Sequence, residues 1–261
     1  MKTNLTEGQT VLITGVGVGL GREVAAAFLD AGANVAIGAR SGERLTTVAK
    51  ELDPTCNRVL PHVADITDSE SCTRFVEAVV ARFGEVNSVI QVAAFEDAFG
   101  GLFKSDLDKW NRAFDTNVVG ALWLLRAAVP AMRSAGGGSV VLIGTQSAFK
   151  PSLPQAGYAA SKGALLTTMY YLADELGPDN IRVNTVVPSW MWAPNVEMFV
   201  DYKVKSQGKT REEILNDIAG TFPLRRIAED REVADATVFF CSDLARTITG
   251  QRLMVNCGEM S

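Results

Sequence analysis

Short runs of consecutive apolar residues alternate with longer helical patterns from one end of this chain to the other. The runs TVLIT (10–14), NVAIGA (34–39), RVLPHV (58–63), SVIQVA (88–93), SVVLIG (139–144), RVNTVV (182–187) and RLMVN (252–256) are of strand length. Most carry apolar side chains at successive positions, as strands do when both faces of a parallel sheet are covered. Helical periodicity fills the intervals: GREVAAAFLDAG, ERLTTVAKEL, SESCTRFVEAVVARFG, a long helix from about Ser105 to Ser134, one from Tyr158 to Leu176, and one near Arg231 to Cys241. Gly32 and Gly84 read as helix stops and Asp68 as an N-cap. Alternation on this scale predicts an α/β fold: a doubly wound, parallel, seven-stranded sheet with helices on both faces. No linker and no internal repeat interrupts it, so residues 1–261 are expected to form one domain.

Composition narrows the function classes. A chain of 261 residues, 47% hydrophobic and 21% charged, has enough apolar material for a full core. Net charge is −5 and the basic residues are dispersed, with no Lys/Arg stripe, so nucleic acid is not an expected partner. No apolar run approaches the roughly 20 residues of a membrane helix. The opening MKTNLTEGQTVLITG carries no signal-peptide apolar region, and a cytoplasmic location is the expectation. Cys56, Cys72, Cys241 and Cys257 lack paired spacing and read as reduced, mostly buried thiols rather than a disulfide frame or a zinc site. The single histidine, His62, lies in an apparent strand, where a structural role is expected; no metal site is expected.

Gly15, Gly17, Gly19 and Gly21 follow the first strand directly and open the first helix. Glycine is needed where a chain turns sharply and where a pyrophosphate must touch backbone, and a helix N-terminus offers free N–H groups to phosphate oxygens. A tight turn without ligand is the bland alternative, but it does not require four glycines at alternate positions. The second strand ends AIGAR, with Arg40 where an NAD site commonly has an acidic residue for the ribose 2′-hydroxyl. An arginine there suits a 2′-phosphate, so NADP(H) is the preferred cofactor expected, with NAD(H) open. Asp65 suits a hydrogen bond to the adenine amino group or, equally, the capping of a loop.

Tyr158 and Lys162 stand at i and i+4, one above the other on a helix. A free phenol has a pKa of about 10 and is a slow proton source at neutral pH. A neighbouring ammonium and a positively charged nicotinamide would stabilise the phenolate, letting Tyr158 move a proton while hydride moves at carbon. Lys162 would also hold the nicotinamide ribose. A buried Tyr beside a snorkelling Lys is the ordinary alternative.

Taken together, these motifs resemble the short-chain dehydrogenase/reductase family in its single-domain, Rossmann-type branch. The likeness runs along the whole chain: TGxxxGxG at 14–21, Asp65, NVVG at 117–120, YxxxK at 158–162, RVNTVVP at 182–188 and ITGQRLMVNCG at 248–258. The resemblance implies cofactor contacts at Gly15, Gly17, Val18, Gly19, Leu20, Gly21, Arg40, Asp65, Ile66, Val92, Ala93, Tyr158, Lys162, Pro188 and Met191. It implies catalytic roles for Tyr158 and Lys162, and for Asn117 through a water held by its carbonyl. It places the substrate-orienting hydroxyl at Thr145, with Ser147 as the rival.

Several positions depart from the family pattern. Gln91-Val92-Ala93-Ala94 replaces Asn-Asn-Ala-Gly, Pro188-Ser189 replaces Pro-Gly, and Ala193 replaces a frequent threonine.

The segment from Trp190 to Leu224 breaks the alternation and carries five aromatic residues, Trp190, Trp192, Phe199, Tyr202 and Phe222. Its place after a strand's carboxyl end predicts a lid over substrate, at 190–224, the alternative being a surface helical pair packed on the body. The expected function is an NADP(H)-dependent oxidoreductase interconverting a secondary alcohol and a ketone, with apolar, cyclic or steroid-like substrates hinted at by the lid aromatics. The rival readings are a carrier-linked 3-oxoacyl reductase, for which Arg225 and Arg226 offer a basic patch, and a non-catalytic NADP(H)-binding regulator. The resemblance also implies a homotetramer (or homodimer).

Overall fold

The apolar runs lie side by side, every neighbouring pair parallel, in a computed structural model that describes residues 4–192 and 194–259. The first half of the chain runs β1 (Thr10–Thr14), α1 (Leu20–Asp30), β2 (Asn34–Ala39), α2 (Gly42–Leu52), β3 (Val59–Val63), α3 (Ser69–Phe83), β4 (Ser88–Gln91), α4 (Leu107–Phe114) and α5 (Gly120–Ser134). The second half runs β5 (Gly138–Ile143), α6 (Ala156–Leu176), β6 (Ile181–Pro188), β7 (Met191–Trp192), α7 (Pro194–Gln207), α8 (Arg211–Ala219), β8 (Ala228–Glu229), α9 (Asp230–Cys241) and β9 (Arg252–Val255). The main sheet has seven strands in the order β3-β2-β1-β4-β5-β6-β9, and β7 pairs with β8 in a separate ribbon.

Each central strand supplies two cores, which is why its apolar residues are consecutive. Val11, Ile13, Val35 and Ile37 pack with Val24 and Phe28 of α1, Leu45 of α2 and Val233 of α9. Leu12, Ala36, Val89 and Val140 point the other way, onto Phe75 of α3, Leu124 of α5 and Leu165 of α6. The chain winds outward from β1 through β3, then returns to the other side of β1 as β4. That reversal leaves a crevice at the carboxyl ends of β1 and β4, where open α/β sheets bind ligands.

Helix ends follow the local chemistry. The Asp68 side chain accepts a hydrogen bond from Glu70 N–H and starts α3, and Gly84 ends it at φ +89°. His62 stacks on Phe75 with ring centroids 5.2 Å apart, a packing role. All four cysteines are free thiols, Cys72, Cys241 and Cys257 buried and Cys56 half-buried. Among the described residues no cluster of His, Cys, Asp or Glu could hold a metal ion, and no helix is long and apolar enough to cross a membrane.

Two expected elements are corrected. The fourth strand stops at Gln91, not Ala93, because Val92 N–H and Ala93 N–H both donate to Thr14 O, at 3.2 and 3.1 Å, and turn the chain across the end of β1. The single long helix over 105–134 is instead α4 and α5 joined by a π-helical turn, Asp115–Val119, in which Gly120 N–H reaches back five residues to Asp115 O. Such wide turns recur at functional sites, and Asn117 occupies the middle of this one.

The segment over 190–224 is a helical pair, α7 and α8, with a core of its own. Trp190, Trp192, Val196, Leu215 and Ile218 pack against Ala219, Phe222, Ile227, Ala228 and Cys257. Trp190 also meets Phe199, ring centroids 5.3 Å apart, whereas Met198 and Tyr202 are exposed. Ala193 lies outside the described residues.

Candidate active site

The glycine tract forms one wall of the crevice, and at two of its positions no side chain fits. Gly15 has φ +80°, and a Cβ on it would fall 2.3 Å from Ala93 N. A Cβ on Gly21 would lie 2.5 Å from Gly15 O, whereas one on Gly17 would meet nothing within 4 Å. Packing therefore explains Gly15 and Gly21 but not Gly17, which borders open space.

That space is a cleft of about 550 Å³ walled by Gly15 and Gly17, by Arg40, by Asp65 and Ile66, and by Val92 and Ala93. The remaining tract residues Val18, Gly19 and Leu20 lie beyond its walls; Val18 lines an adjoining hollow of about 540 Å³. Asp65 makes the loop bond: its Oδ1 accepts from Thr67 N–H at 2.9 Å and from Thr67 Oγ1 at 2.7 Å.

Arg40 is exposed at the cleft's far end, and Arg44 and Ser41 join it there. Neither arginine makes an ion pair among the described residues. Arg44 and Ser41 were not foreseen, although a second arginine four residues on, in the first turn of α2, is the signal that would have found Arg44. Exposed guanidiniums at one end and a glycine cradle bordering open space at the other fit a phosphorylated dinucleotide.

The catalytic candidates come from three elements. Lys162, on α6, is buried, and its Nζ donates to Ile143 O at 2.7 Å at the end of β5. The same Nζ stands 6.0 Å from the Tyr158 ring centroid. The Thr145 side chain lies close enough to Tyr158 to favour its phenolate. Ser147 instead accepts from Gln155 Nε2 at 2.9 Å, and its own N–H donates to Thr145 Oγ1 at 3.2 Å. Of the two hydroxyls, Thr145 is therefore the one beside the phenol.

Asn117 grips the opposite loop like one edge of a base pair. Its Oδ1 accepts from Phe95 N–H at 2.7 Å, and its Nδ2 donates to Phe95 O at 3.1 Å and to Ser161 Oγ at 2.9 Å. Pro188 ends β6 and Met191 begins the β7–β8 ribbon, both outside the cleft walls. Gln91, where the family has asparagine, folds back so that its Nε2 donates to Ala93 O.

Burial dominates the electrostatics of this pair. Burial pushes the Tyr158 phenol up to about 12; the Glu96 carboxylate adds to the rise, and the Thr145 hydrogen bond offsets part of it. Lys162 is itself buried, with a backbone carbonyl as its partner, and burial brings its ammonium down to about 8 against the opposing pull of Glu96. The phenol is thus held protonated at neutral pH, ready to donate. Glu96 follows the residue clamped by Asn117 and lines the cleft. It was not foreseen, since a charge in an irregular loop has no periodicity to expose it.

The family profile described as Enoyl-(Acyl carrier protein) reductase matches residues 15–259 of this chain. The 3-oxoacyl-[acyl-carrier-protein] reductase FabG of Thermotoga maritima is 31% identical, over 97% of this chain and 98% of its own. This chain is a short-chain dehydrogenase/reductase. As such it is an oxidoreductase acting on alcohol or ketone substrates. The short-chain dehydrogenase/reductase fold extends to solved structures. L-sorbose reductase from Gluconobacter frateurii, complexed with NADPH and L-sorbose, superposes with a TM-score of 0.91 at 29% identity, covering 99% of this chain and 98% of that one. NAD+-bound xylitol dehydrogenase superposes with a TM-score of 0.86 at 26% identity, covering 95% and 98%.

Proposed function

We propose that this short-chain dehydrogenase/reductase reduces a ketone to a secondary alcohol, and runs the reverse reaction, with NADP(H) preferred over NAD(H). The observation that carries the reading is Tyr158 with the Thr145 hydroxyl beside it and Lys162 buried behind, its Nζ 6.0 Å from the phenol ring, at the carboxyl edge of the sheet. The nicotinamide, when bound, supplies or accepts the hydride. Thr145 donates a hydrogen bond to the substrate oxygen and fixes its direction. Tyr158, protonated at neutral pH, delivers its proton to that oxygen as negative charge builds there. Lys162 holds the ribose and, when charged, offsets the charge left on the phenolate. Asn117 fixes the loop carrying Phe95, which borders the same cleft. No metal is required, because the tyrosine supplies the electrophilic assistance.

The NADP(H) preference rests on Arg40 and Arg44, two guanidiniums unpaired among the described residues where an NAD site commonly carries a carboxylate. The NADPH in the sorbose reductase complex and the NAD+ in the xylitol dehydrogenase make both cofactors available to this fold. The segment over 190–224 serves as the lid: its separate small core lets α7 and α8 shift without disturbing either face of the sheet. The single domain spans the chain, with a homotetramer as its assembly. Exposed Phe114, Val119, Tyr170 and Tyr171 on α4–α6, and Leu253 and Met254 on β9, supply apolar surface for two interfaces.

A free small molecule is favoured over a carrier-tethered one, since Arg226 is already spent on Glu232, its Nη1 2.5 Å from Oε2, which leaves Arg225 alone at the patch. The test follows NADPH and NADH oxidation across a panel of hydroxyketones, apolar cyclic ketones and 3-oxoacyl thioesters. Turnover of a ketone with NADPH ahead of NADH is the expected result. Tight NADPH binding with no oxidation across the panel would establish a sensor instead.

A further inference from the structure

Three segments far apart in sequence converge on one buried carboxylate. Glu259, in the tail after β9, has a side chain only 4% exposed. Its Oε2 accepts a hydrogen bond from Ser189 Oγ, immediately after β6, and its Oε1 lies 3.3 Å from Lys150 Nζ in the β5–α6 loop. The tail is pinned to that loop a second time: Asn256 Nδ2 donates to Gln146 Oε1 at 3.0 Å and to Glu259 O at 2.8 Å.

The two segments so joined are the ones that carry the reaction's two ends. The β5–α6 loop holds Thr145, the hydroxyl beside Tyr158. The segment after β6 runs from Pro188 to Met191, two residues to which the family resemblance gives cofactor contacts. A carboxylate removed from water is retained only where charge-assisted bonds replace its hydration, and such bonds are short and directional. Ser189 supplies one of them at a position where the family pattern has a glycine, which has no hydroxyl to give. Serine 189 and glutamate 259 thus form a pair that the usual Pro-Gly sequence could not make.

We propose that Glu259 is a positioning residue that ties the Pro188–Met191 segment to the Thr145 loop and so holds the nicotinamide end of the cofactor against the polarising hydroxyl. The proposal rests on the dinucleotide reading given above. It predicts that the carboxylate matters for the nicotinamide half of the cofactor and not for the adenosine half, which is gripped some distance away by the glycine tract and Arg40.

The experiment compares wild type, Glu259→Gln and Ser189→Gly by calorimetric titration with two ligands: NADPH, and 2′-phospho-ADP-ribose, which lacks the nicotinamide. If the wild type binds NADH more tightly, NADH and ADP-ribose are the pair. Glu259→Gln should weaken the full dinucleotide about tenfold, the worth of one charge-assisted hydrogen bond, and leave the nicotinamide-free fragment unchanged. Ser189→Gly, which keeps the carboxylate on Lys150, should weaken the dinucleotide less, in the same direction. Equal weakening of both ligands, or no change in either, overturns the proposal; the first result, with a lowered Tm, marks Glu259 as a general stabiliser. A wild-type chain that binds neither ligand overturns the dinucleotide reading and the proposal together.

Discussion

The two ends of the cleft are built by different means. At the phosphate end the backbone does the work: Gly15 N–H and Val16 N–H donate to Gly38 O at 2.9 and 3.2 Å, and Ala93 N lies where a Cβ on Gly15 would have to go. At the chemical end side chains do it, reaching across from β5, α6, the π-helical turn and the tail. Where backbone meets backbone, as at Gly15 and Gly21, a wall tolerates no added atom. A wall built of side chains tolerates substitution but changes its chemistry. Breaking one end should therefore leave the other readable.

Tyr158→Phe is the sharpest test of that independence. It removes the proton donor and keeps the ring, so turnover should fall about 10²–10⁴-fold. The dissociation constant for NADPH should stay nearly unchanged. Steady-state assay beside calorimetry checks both, and retained turnover would overturn the mechanism.

Gly15→Ala attacks the opposite end. The residue sits at φ +80°, and its new Cβ would meet Ala93 N at 2.3 Å. Strain of this kind costs about 1–3 kcal/mol, on the order of 2–5 °C in Tm for a chain this long. Thermal unfolding should show that drop, with cofactor affinity lost in step. Full affinity at an unaltered Tm would mean the loop relaxes freely.

Arg40→Asp separates charge from backbone within the phosphate end. A carboxylate in place of the guanidinium repels a 2′-phosphate and accepts from a 2′-hydroxyl. The NADPH-to-NADH ratio of kcat/KM should swing towards NADH by about tenfold or more, ~1.4 kcal/mol. Arg44, one helical turn away, keeps part of the phosphate grip, so Arg40→Asp/Arg44→Ala should swing the ratio further. An unmoved ratio in both variants would show that neither guanidinium reads the phosphate.

The same contrast explains what is legible in the sequence. The sheet is, because Val11, Leu12 and Ile13 must each find a core, and three consecutive apolar residues satisfy that only between two helical layers. The glycine tract and the Tyr158–Lys162 pair are legible because their spacing is local. The π-helical turn at Asp115–Val119 is not, since the poor helix formers of DTNVV suit a break, a cap or a wide turn alike, and the partner of Asn117, Phe95, lies 22 residues away. Arg44 hides among the polar residues of α2. Glu96, Gln146 and Glu259 are invisible for one shared reason: each acts through a partner distant in sequence, and no period records such a partnership.

Glu96 gives the smallest and most diagnostic effect. Its carboxylate raises both the Tyr158 phenol, at about 12, and the Lys162 ammonium, at about 8. Reduction uses the protonated phenol throughout the accessible range, so the alkaline limb of kcat should follow Lys162. Below about 8 the ammonium is charged and supports the phenolate; above it the support is lost, and the rate should fall as pH rises. Removing the negative charge with Glu96→Gln makes the ammonium easier to deprotonate. The limb should therefore move to lower pH, by a fraction of a unit, because Glu96 is exposed and its field is screened by solvent. A pH profile of kcat for ketone reduction reads this directly. A shift to higher pH would reverse the sign of the interaction, and a limb that stays in place would assign it to a group other than Lys162.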